Sequence, residues 1–322
     1  MVDLSRRGAL GVGLAAMAAG FAGGAGAAAP FFKRTGLPIG LQLYTLGGDL
    51  RADVDGVLGQ VAKIGYRTVE LAGYLGKTPK ELRASFDKAG LKATSSHVQA
   101  EGNGPEPTLA TIDRVIADSK VMGIEHIVLP SVPMPAHVDA KARPGEDIVA
   151  RFARVYGQLT ADDWKATADL LNAKGKALKA AGMTMGYHNH NAEFMPLPDK
   201  NGGGTTPLEI LLNNTDPKLV TFEMDVGWVV AAGADPFALM KAHKGRFSQM
   251  HVKDVKATTK PNFAFQQDPT EVGSGIIPWV KLLPAAYAEG VRGFFVEQEP
   301  PFARPRIEAA KLCFDYLDKV VA

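Results

Sequence analysis

Short apolar runs alternate along the chain with longer stretches in which apolar residues recur at helical spacing. The short runs are typical of buried parallel strands, and the longer stretches are typical of the helices that cover such strands. The pattern predicts helices that include Val54–Ile64, Pro79–Ala89, Thr108–Met122 and Asp163–Ala181. It also predicts eight strands, at Ile39–Tyr44, Thr68–Leu71, Lys92–Val98, His126–Leu129, Thr184–His188, Val220–Asp225, Phe247–Val252 and Phe294–Glu297.

Glycines stand where several predicted helices give way to the next strand. A glycine just past a helix readily adopts the left-handed conformation that ends it. The glycines at these points are Gly65, Gly90, Gly123, Gly182 and Gly290. Eight successive strand–helix units predict a (β/α)8 TIM barrel of the α/β class, formed as a single domain by residues 36–322. A doubly wound sheet is disfavoured, because no GxGxxG motif follows the first strand.

The composition narrows the possible partners and metal ligands. The chain has 322 residues, of which 46% are hydrophobic and 22% charged, as in ordinary globular proteins. Lys and Arg number 36 against 34 Asp and Glu, so a nucleic acid partner is not expected. Cys313 is the single cysteine, which excludes an internal disulfide and a CxxC metal motif. Any bound metal must therefore be held by His and carboxylate side chains.

The N-terminal residues have the features of an export signal. A twin arginine at Arg6-Arg7 precedes an uncharged stretch rich in Ala and Gly, and residues 25–27 form an A-x-A cleavage site. We place a twin-arginine signal peptide at residues 1–29 and expect a periplasmic protein. Since Ala and Gly carry little apolar surface, no stable membrane insertion is expected after cleavage. The twin-arginine route exports folded proteins, so a cofactor can be loaded before export.

Polar residues gather at the ends of several predicted strands. Parallel barrels carry their chemistry at the C-terminal mouth, so these strand-end residues are the candidates for function. Because side chains alternate along a strand, residues two apart share a face. Three such pairs are His188 with His190, Glu223 with Asp225, and Glu297 with Glu299.

Four strand-end residues suit one divalent metal ion: His188, Asp225, His251 and Glu297. They come from the consecutive strands five to eight, which form one continuous arc of the barrel wall. Two imidazoles and two carboxylates suit Mn²⁺, Zn²⁺, Fe²⁺ or Co²⁺ and leave positions open for substrate oxygens. Converging carboxylates without such an ion would repel one another. The four residues therefore predict a metal site.

The chain also carries a series of short motifs that share one order with a known family. They are LQLYT (41–45), GYRTVE (65–70), SSHV (95–98), GYHNH (186–190) with EF (193–194), DVGW (225–228), HVKD (251–254), EVGSG (271–275) and FVE (295–297). In order and spacing they resemble the xylose-isomerase-like barrels, specifically the sugar phosphate isomerase/epimerase group. The resemblance covers residues 36–322.

The resemblance implies a divalent metal that chelates oxygens of a small carbohydrate or polyol. Mn²⁺ is the expected metal, with Zn²⁺, Co²⁺, Fe²⁺ or Mg²⁺ as alternatives. The metal polarises a carbonyl, so that a carboxylate or histidine can remove the proton from the neighbouring carbon. Related isomerases and epimerases pair a glutamate on strand five with another on strand eight. Here Glu297 matches the second, but His188 stands in place of the first, which argues against simple two-base epimerisation.

The His188-Asn189-His190 variant resembles a subgroup that contains inosose dehydratases and enzymes acting on 3-keto-glycosides. In such substrates, deprotonation beside the ketone can be followed by loss of a β-oxygen. The expected function is therefore that of a sugar isomerase or epimerase, or of a lyase or dehydratase on keto-sugars or keto-glycosides.

Catalytic roles follow from this expectation. Glu297 is the candidate base, while His190 and His97 are candidates for proton transfer or hydroxyl binding. Lys253 lies on the same strand face as His251 and could stabilise an enediolate oxygen, or it could pair with Asp254 instead.

Further residues are expected to contact or frame the substrate. The substrate-binding candidates are Glu70, Gln42, Trp228 and Glu193, although Glu70 and Glu193 could instead orient other site residues. Trp228 stands where related epimerases often carry a histidine and could form an apolar platform under a sugar ring. The segments 130–163 and 257–278 are long enough to act as lids, or as contacts of a homo-oligomer.

Two other classes of protein share such a barrel. A metal-dependent phosphodiesterase or apurinic endonuclease would need several metals and a basic groove, which the nearly neutral charge disfavours. A non-catalytic sugar-binding barrel is disfavoured by the full set of ligand-type residues on strands five to eight.

Overall fold

The computed structural model of the protein describes residues 29–198 and 204–322, in which eight parallel strands close into a barrel. The barrel strands are β1 (Gly40–Gln42), β2 (Thr68–Leu71), β3 (Lys92–His97), β4 (His126–Leu129), β5 (Thr184–His188), β6 (Val220–Asp225), β7 (Phe247–Val252) and β10 (Gly293–Val296). Each strand pairs with the next, and β10 closes the circle against β1. The predicted (β/α)8 TIM barrel is therefore confirmed.

Helices follow the barrel strands as the pattern predicts. They are α1 (Phe31–Thr35), α2 (Gly47–Ala52), α3 (Val54–Ile64), α4 (Pro79–Ala89), α5 (Ile112–Met122), α6 (Ile148–Tyr156), α7 (Ala161–Ala180), α8 (Pro207–Asn214), α9 (Val226–Ala231), α10 (Pro236–Ala242), α11 (Trp279–Ala288) and α12 (Arg306–Leu317). The prediction at Asp163–Ala181 began late, because a capping box between Thr160 and Asp163 starts α7 at Ala161.

The first predicted strand was too long at its C-terminal end. It ends at Gln42 rather than Tyr44, because the Gln42 side chain accepts a hydrogen bond from the Tyr44 backbone N–H and begins a 3₁₀ turn, Leu43–Leu46. The glycines predicted at helix ends all have positive φ. At Gly65 (φ +134°) a Cβ would also lie 2.2 Å from the Phe314 ring, so glycine is required there on two grounds.

Helix α1 covers the barrel end opposite the catalytic mouth. Phe31 and Phe32 are buried, and both rings meet Phe294 of β10 edge to face at 5.9 and 5.6 Å. The folded unit thus includes residues just before the predicted domain start. Apart from Ala29, the predicted signal peptide lies outside the described residues. Within the described part of the chain, no helix is long and apolar enough to cross a bilayer.

A small antiparallel pair follows β7 and frames the mouth. It joins β8 (Asp254–Val255) to β9 (Pro269–Thr270), and the buried Asp254 carboxylate organises the loop behind it. That carboxylate accepts hydrogen bonds from the backbone N–H groups of Gly273, Gly275 and Ile277 and from the Trp279 indole N–H, at 2.9 to 3.3 Å. One side chain therefore fixes the connection from β9 to α11.

Asp254→Asn is expected to lower the free energy of unfolding by about 2 kcal/mol, because an amide replaces one accepting oxygen by a donor that faces N–H groups. Urea denaturation of the purified variant measures this loss. The exposed Asp315→Asn, which breaks one surface bridge to Lys311, is the control and should change stability by less than about 0.5 kcal/mol. Equal stability of both variants would contradict this role of Asp254.

Candidate active site

The four predicted metal ligands come together at the C-terminal mouth of the barrel. Strand pairing places Asp225 opposite His251, across a register shift between β6 and β7. His251 Nδ1 lies 2.9 Å from Glu297 Oε2 and 3.6 Å from Asp225 Oδ2. His188 Nε2 lies 3.9 Å from the same Asp225 oxygen. Donor atoms of Asp225, His251 and Glu297 lie within 4.8 Å of one another, close enough to bind one ion, and His188 adjoins this group through Asp225.

Each of the two histidines turns its other ring nitrogen toward a buried glutamate. His188 Nδ1 lies 3.2 Å from Glu223 Oε2, and His251 Nε2 lies 2.7 Å from Glu70 Oε1. Carboxylates usually orient metal-ligating histidines in this way, because they fix the tautomer and strengthen the ligand. Glu70 and Glu223 therefore lie where they would position the two predicted ligands.

Glu223 also belongs to a second group of donor atoms. His97, His188, His251 and Glu223 each bring one donor atom within 4.8 Å of the others. In this group Glu223 Oε2 lies among the three imidazole nitrogens, at 2.9 to 3.2 Å from each. This group could also hold an ion, but with the carboxylate oxygen at its centre it is arranged as a hydrogen-bonded network that shares His188 and His251 with the predicted metal site.

The charge of the cluster fits a divalent cation as well as its donors do. Its carboxyl groups belong to Glu70, Glu223, Asp225, Glu297 and Glu299. These five carboxyl groups outnumber the Lys253 ammonium, and a metal-bound His251 would be a neutral imidazole that adds no positive charge. The buried Asp225 Oδ2 lies 2.7 Å from that ammonium. A divalent ion at this cluster would balance part of the remaining negative charge.

Lys253 is a buried cation beside the predicted ligands. Its Nζ lies 2.7 Å from Asp225 Oδ2 and from Glu297 Oε2, and 2.6 Å from Glu299 Oε1. Burial alone would lower the pKa of Lys253, but these carboxylates outweigh it and hold that pKa well above its usual range. Its ammonium also lies 5.1 Å from the Trp228 ring. Lys253 is thus a permanent charge at the site.

Neighbouring residues explain how Lys253 reaches this position. A Cβ at residue 227 would lie 2.7 Å from the Lys253 side chain, so Gly227 leaves room for it. Of the two partners considered for Lys253, the structure selects the site carboxylates over Asp254, which instead accepts the loop N–H groups described above. Adjacent residues of a strand point to opposite faces, which separates the two side chains.

The other two histidines of the mouth, His97 and His190, differ in protonation. Burial alone would lower the pKa of His97, but Glu70 and Glu223 raise it to about 10, so His97 is an imidazolium at neutral pH. Burial and the Lys253 ammonium lower the pKa of His190 to about 3. His190 is therefore a neutral imidazole, suited to hydrogen bonding with a hydroxyl rather than to holding a proton.

Glu193 is a buried carboxyl that binds the backbone N–H of His190. Its carboxyl accepts hydrogen bonds from the Tyr187 hydroxyl at 2.7 Å and from the His190 backbone N–H at 3.0 Å. Burial raises the pKa of Glu193 to about 7, against the lowering effect of the Tyr187 bond. Glu193 thus orients the end of β5 and titrates near neutral pH.

Glu193→Gln is expected to flatten the pH dependence of stability. Since the folded pKa of about 7 exceeds the ordinary value of 4.5, stability from Glu193 is full in acid and is lost as pH rises through 7. Between about pH 4 and about pH 8 the wild-type protein should lose about 3 kcal/mol relative to the variant. Urea denaturation of both proteins at each pH measures this difference. Parallel pH profiles would refute the assignment.

A cleft with a volume of about 770 Å³ opens above the cluster. Predicted site residues on its wall are His97, His188, His190, Trp228 and Glu297. The fully buried residues beneath or behind this wall are Gln42, Glu70, Glu193, Asp225, His251 and Lys253. Gln42 donates a hydrogen bond to Glu70 at 2.7 Å, so its placement is that of a support for the carboxylate.

Sequence reasoning did not assign several residues that the structure places in or beside the site. Glu299 lies at the cleft with its carboxylate on Lys253 and on the Trp228 indole N–H. The alternation of side chains along a strand places Glu299 on the same face as Glu297, so Glu299 could have been predicted as a site residue from the sequence. Phe152 and Phe265, by contrast, come from helix α6 and a distant loop, and no local pattern joins them.

A closed parallel barrel with imidazoles and carboxylates beneath an open cleft defines an enzyme of the sugar isomerase and epimerase kind, which includes dehydratases. Residues 58–319 match the family described as Xylose isomerase-like TIM barrel, and the chain belongs to that family. The family predicted from the motifs is confirmed. The narrower His-Asn-His subgroup stays a prediction.

Several proteins are similar to this chain. The inosose dehydratase of Geobacillus kaustophilus is 24% identical over 283 residues, which cover 83% of this chain and 87% of that protein. Inosose dehydratase 2 of Bacillus cereus is 28% identical over 159 residues, or 45% of this chain and 51% of that protein. A sugar phosphate isomerase/epimerase structure from Parabacteroides distasonis has a TM-score of 0.68 at 28% identity, covering 87% and 93% of the two chains. The 3-keto-D-glucoside 4-epimerase of E. coli, at 14% identity and a TM-score of 0.58 over 87% and 98%, shares the fold.

Proposed function

We propose that this protein is a metal-dependent lyase or dehydratase that acts on a keto-sugar or keto-glycoside. It removes the proton beside the carbonyl and then expels a β-oxygen. Isomerisation or epimerisation would begin with the same proton transfer. The observation that carries the proposal is the meeting of His188, Asp225, His251 and Glu297 at the cleft, where His188 and Glu297 line the wall and Asp225 and His251 lie buried behind it.

These four residues would hold the metal ion, for which Mn²⁺ is the proposed identity. A divalent ion bound there supplies Lewis acidity, which makes the C–H beside a substrate carbonyl more acidic. The orientation of both histidines by Glu70 and Glu223 supports this use of the cluster.

The remaining steps fall to side chains at the cleft. Glu297 accepts the proton from the carbon beside the carbonyl, and His190 holds a substrate hydroxyl. His97, a protonated group on the cleft wall, is positioned to donate a proton to the departing oxygen. The C–H electron pair forms the new double bond while the C–O bond breaks, and the oxygen leaves as water or an alcohol.

Two observations favour elimination over two-base epimerisation. His188 occupies the strand-five position where related epimerases carry a glutamate and is held by Glu223, so Glu297 has no glutamate partner at that position. The inosose dehydratases similar to this chain are dehydratases by name. Both considerations support loss of a β-oxygen.

NMR of keto-sugars and keto-glycosides in D₂O with Mn²⁺-loaded enzyme tests the proposal. Deuterium should enter beside the carbonyl, an unsaturated ketone should form, and EDTA should abolish both. Exchange without elimination would shift the conclusion to an isomerase or epimerase. The absence of exchange in every keto compound, with metal shown to be bound, would overturn it.

The periplasm is the proposed location, on the evidence of Arg6-Arg7 and the A-x-A site at residues 25–27. Fractionation of the native host with an antibody to the protein tests this, since an uncleaved chain in the cytoplasm would exclude export.

A further inference from the structure

The cleft is larger and less polar than the proposed reaction centre alone requires. A volume of about 770 Å³ is in the range of pockets that hold drug-sized ligands, about 300 to 1,000 Å³. Its floor is polar, with His188, His190 and Glu297. One side, by contrast, is built from the aromatic side chains of Phe152, Tyr156 and Phe265, which we call the aromatic wall. The wall is therefore available to a part of the substrate that does not react.

The aromatic wall is assembled from both predicted lid segments. Phe152 and Tyr156 lie four residues apart on α6, in the segment between β4 and β5, so they share one face of that helix. Phe265 comes from the segment after β8. Its ring stacks on Phe152 with centroids 4.5 Å apart and lies 4.9 Å from Tyr156. The two segments thus meet at these rings beside the cleft.

Phe265 also connects the wall to the reaction centre. Its ring centroid lies 5.0 Å from the His190 ring and 5.9 Å from the Trp228 ring. A ligand group that lies against Phe265 is therefore next to the histidine proposed to hold a substrate hydroxyl. The aromatic wall and the polar floor form one continuous surface.

The backbone holds Phe265 in a conformation that a bulky residue rarely adopts. Its φ is +57°, in the left-handed region that disfavours side chains with a Cβ. The Phe265 N–H donates a hydrogen bond to the buried Asn191 side chain at 3.1 Å, and Asn191 in turn donates to Asn262 at 2.8 Å. Asn191 follows His190 directly, so the loop that carries Phe265 is fastened to the end of β5. The ring is thus fixed before any ligand binds.

We propose that the aromatic wall is a subsite for an apolar ring attached to the reacting sugar, and that Phe265 determines the preference for glycosides over free sugars. The identity of the reacting sugar rests on the proposed function, whereas the subsite rests on the rings alone. An aromatic aglycone and the C–H face of a second sugar ring share the required chemistry, a flat apolar surface that packs on aromatic side chains.

Equilibrium binding separates the subsite from the chemistry. Isothermal titration with the Mn²⁺-loaded protein compares phenyl β-D-glucoside, a disaccharide and methyl β-D-glucoside, none of which has a ketone. The phenyl glucoside or the disaccharide should bind about tenfold more tightly than the methyl glucoside, because packing an apolar ring surface on the aromatic wall removes that surface from water. Tighter binding of the phenyl glucoside would indicate an aromatic aglycone, and tighter binding of the disaccharide a second sugar ring.

Phe265→Ala should abolish this preference while the affinity for methyl β-D-glucoside stays within about twofold. Phe263→Ala is the matched control, since Phe263 lies on the same loop and, among the described residues, outside the rings that form the wall. Thermal melting of both variants verifies that they are folded. Equal binding of all three ligands to the wild-type protein, or a preference that survives in Phe265→Ala, would overturn the proposal.

The deuterium experiment makes the two failures distinguishable. Exchange into keto-sugars without any preference for ring-bearing glycosides removes the subsite and leaves the proposed function. A preference that depends on Phe265, together with no exchange in any keto compound, removes the proposed function and retains the subsite.

Discussion

Glu297→Gln is expected to slow the entry of solvent deuterium beside the substrate carbonyl by about a thousandfold, the middle of the range for loss of a general base. Glu297 is the predicted ligand that reaches the cleft wall as a carboxylate, and it lies 2.9 Å from His251 and 2.7 Å from Lys253. Burial alone would raise the pKa of Glu297, but Lys253 and His251 hold that pKa well below its usual range. The group is therefore ionised before substrate arrives, and an amide cannot take the proton.

Glu299→Gln is the matched control for this variant. Glu299 lies two residues further along the same strand end and contacts the same ammonium, at 2.6 Å. Its replacement removes one partner of Lys253 but leaves the proposed base and the four ligand side chains in place, so exchange should fall by about tenfold at most. Metal content of each variant, measured by elemental analysis, separates loss of the base from loss of the ion. Exchange at the wild-type rate in Glu297→Gln would eliminate Glu297 as the base.

The fold could be predicted from the sequence because each barrel strand is a short apolar run between helical stretches. The bounds of β2, β4, β5, β6 and β7 agree with the prediction at both ends. The predictions for β3 and β10 miss their observed ends by one residue, and the larger error at β1 has a local cause, a side chain that accepts a backbone N–H and so ends the strand at Gln42. Hydrophobic periodicity carries no information on such a bond.

The convergence of the strand-end side chains could also be predicted, but their internal arrangement could not. Alternation along strands identified which faces His188 and Asp225 share with their neighbours, whereas the choice of ring nitrogen depends on Glu223 and Glu70 on other strands. The partners of Lys253 depend on the space that Gly227 leaves. Such details arise from contacts between elements, which a one-dimensional pattern does not record.

The aromatic wall shows the same limit on a larger scale. Phe152 and Phe265 are separated by more than a hundred residues and meet because two loops fold over one mouth. Taken alone, Phe152 is an ordinary apolar residue of helix α6 and Phe265 an ordinary apolar loop residue. Only the closed barrel, which brings the loops after β4 and β7 to one end, makes a surface of them.

Lys253→Met is expected to lower the free energy of unfolding of the metal-free protein by about 3 to 5 kcal/mol, the cost of removing one partner from a buried ion pair. The reason is that Asp225 and Glu297 are buried and would lose the ammonium that lies 2.7 Å from each. Methionine fills a similar volume, so packing contributes little to the loss. Urea denaturation in EDTA measures the effect. Lys256→Met, which breaks an exposed bridge to Asp268, should change stability by less than about 1 kcal/mol.

The same variant reports on the metal independently of activity. If a divalent ion binds the carboxylates that Lys253 contacts, adding Mn²⁺ should restore stability to Lys253→Met by more than it adds to the wild-type protein. A ligand at a hundred times its dissociation constant contributes about 2.7 kcal/mol. In the wild-type protein part of the negative charge is already balanced by the ammonium, so the ion has less to neutralise. Equal gains in both proteins would mean that the ion and Lys253 do not share these carboxylates, and full stability of Lys253→Met in EDTA would mean that the buried charges are balanced without either cation.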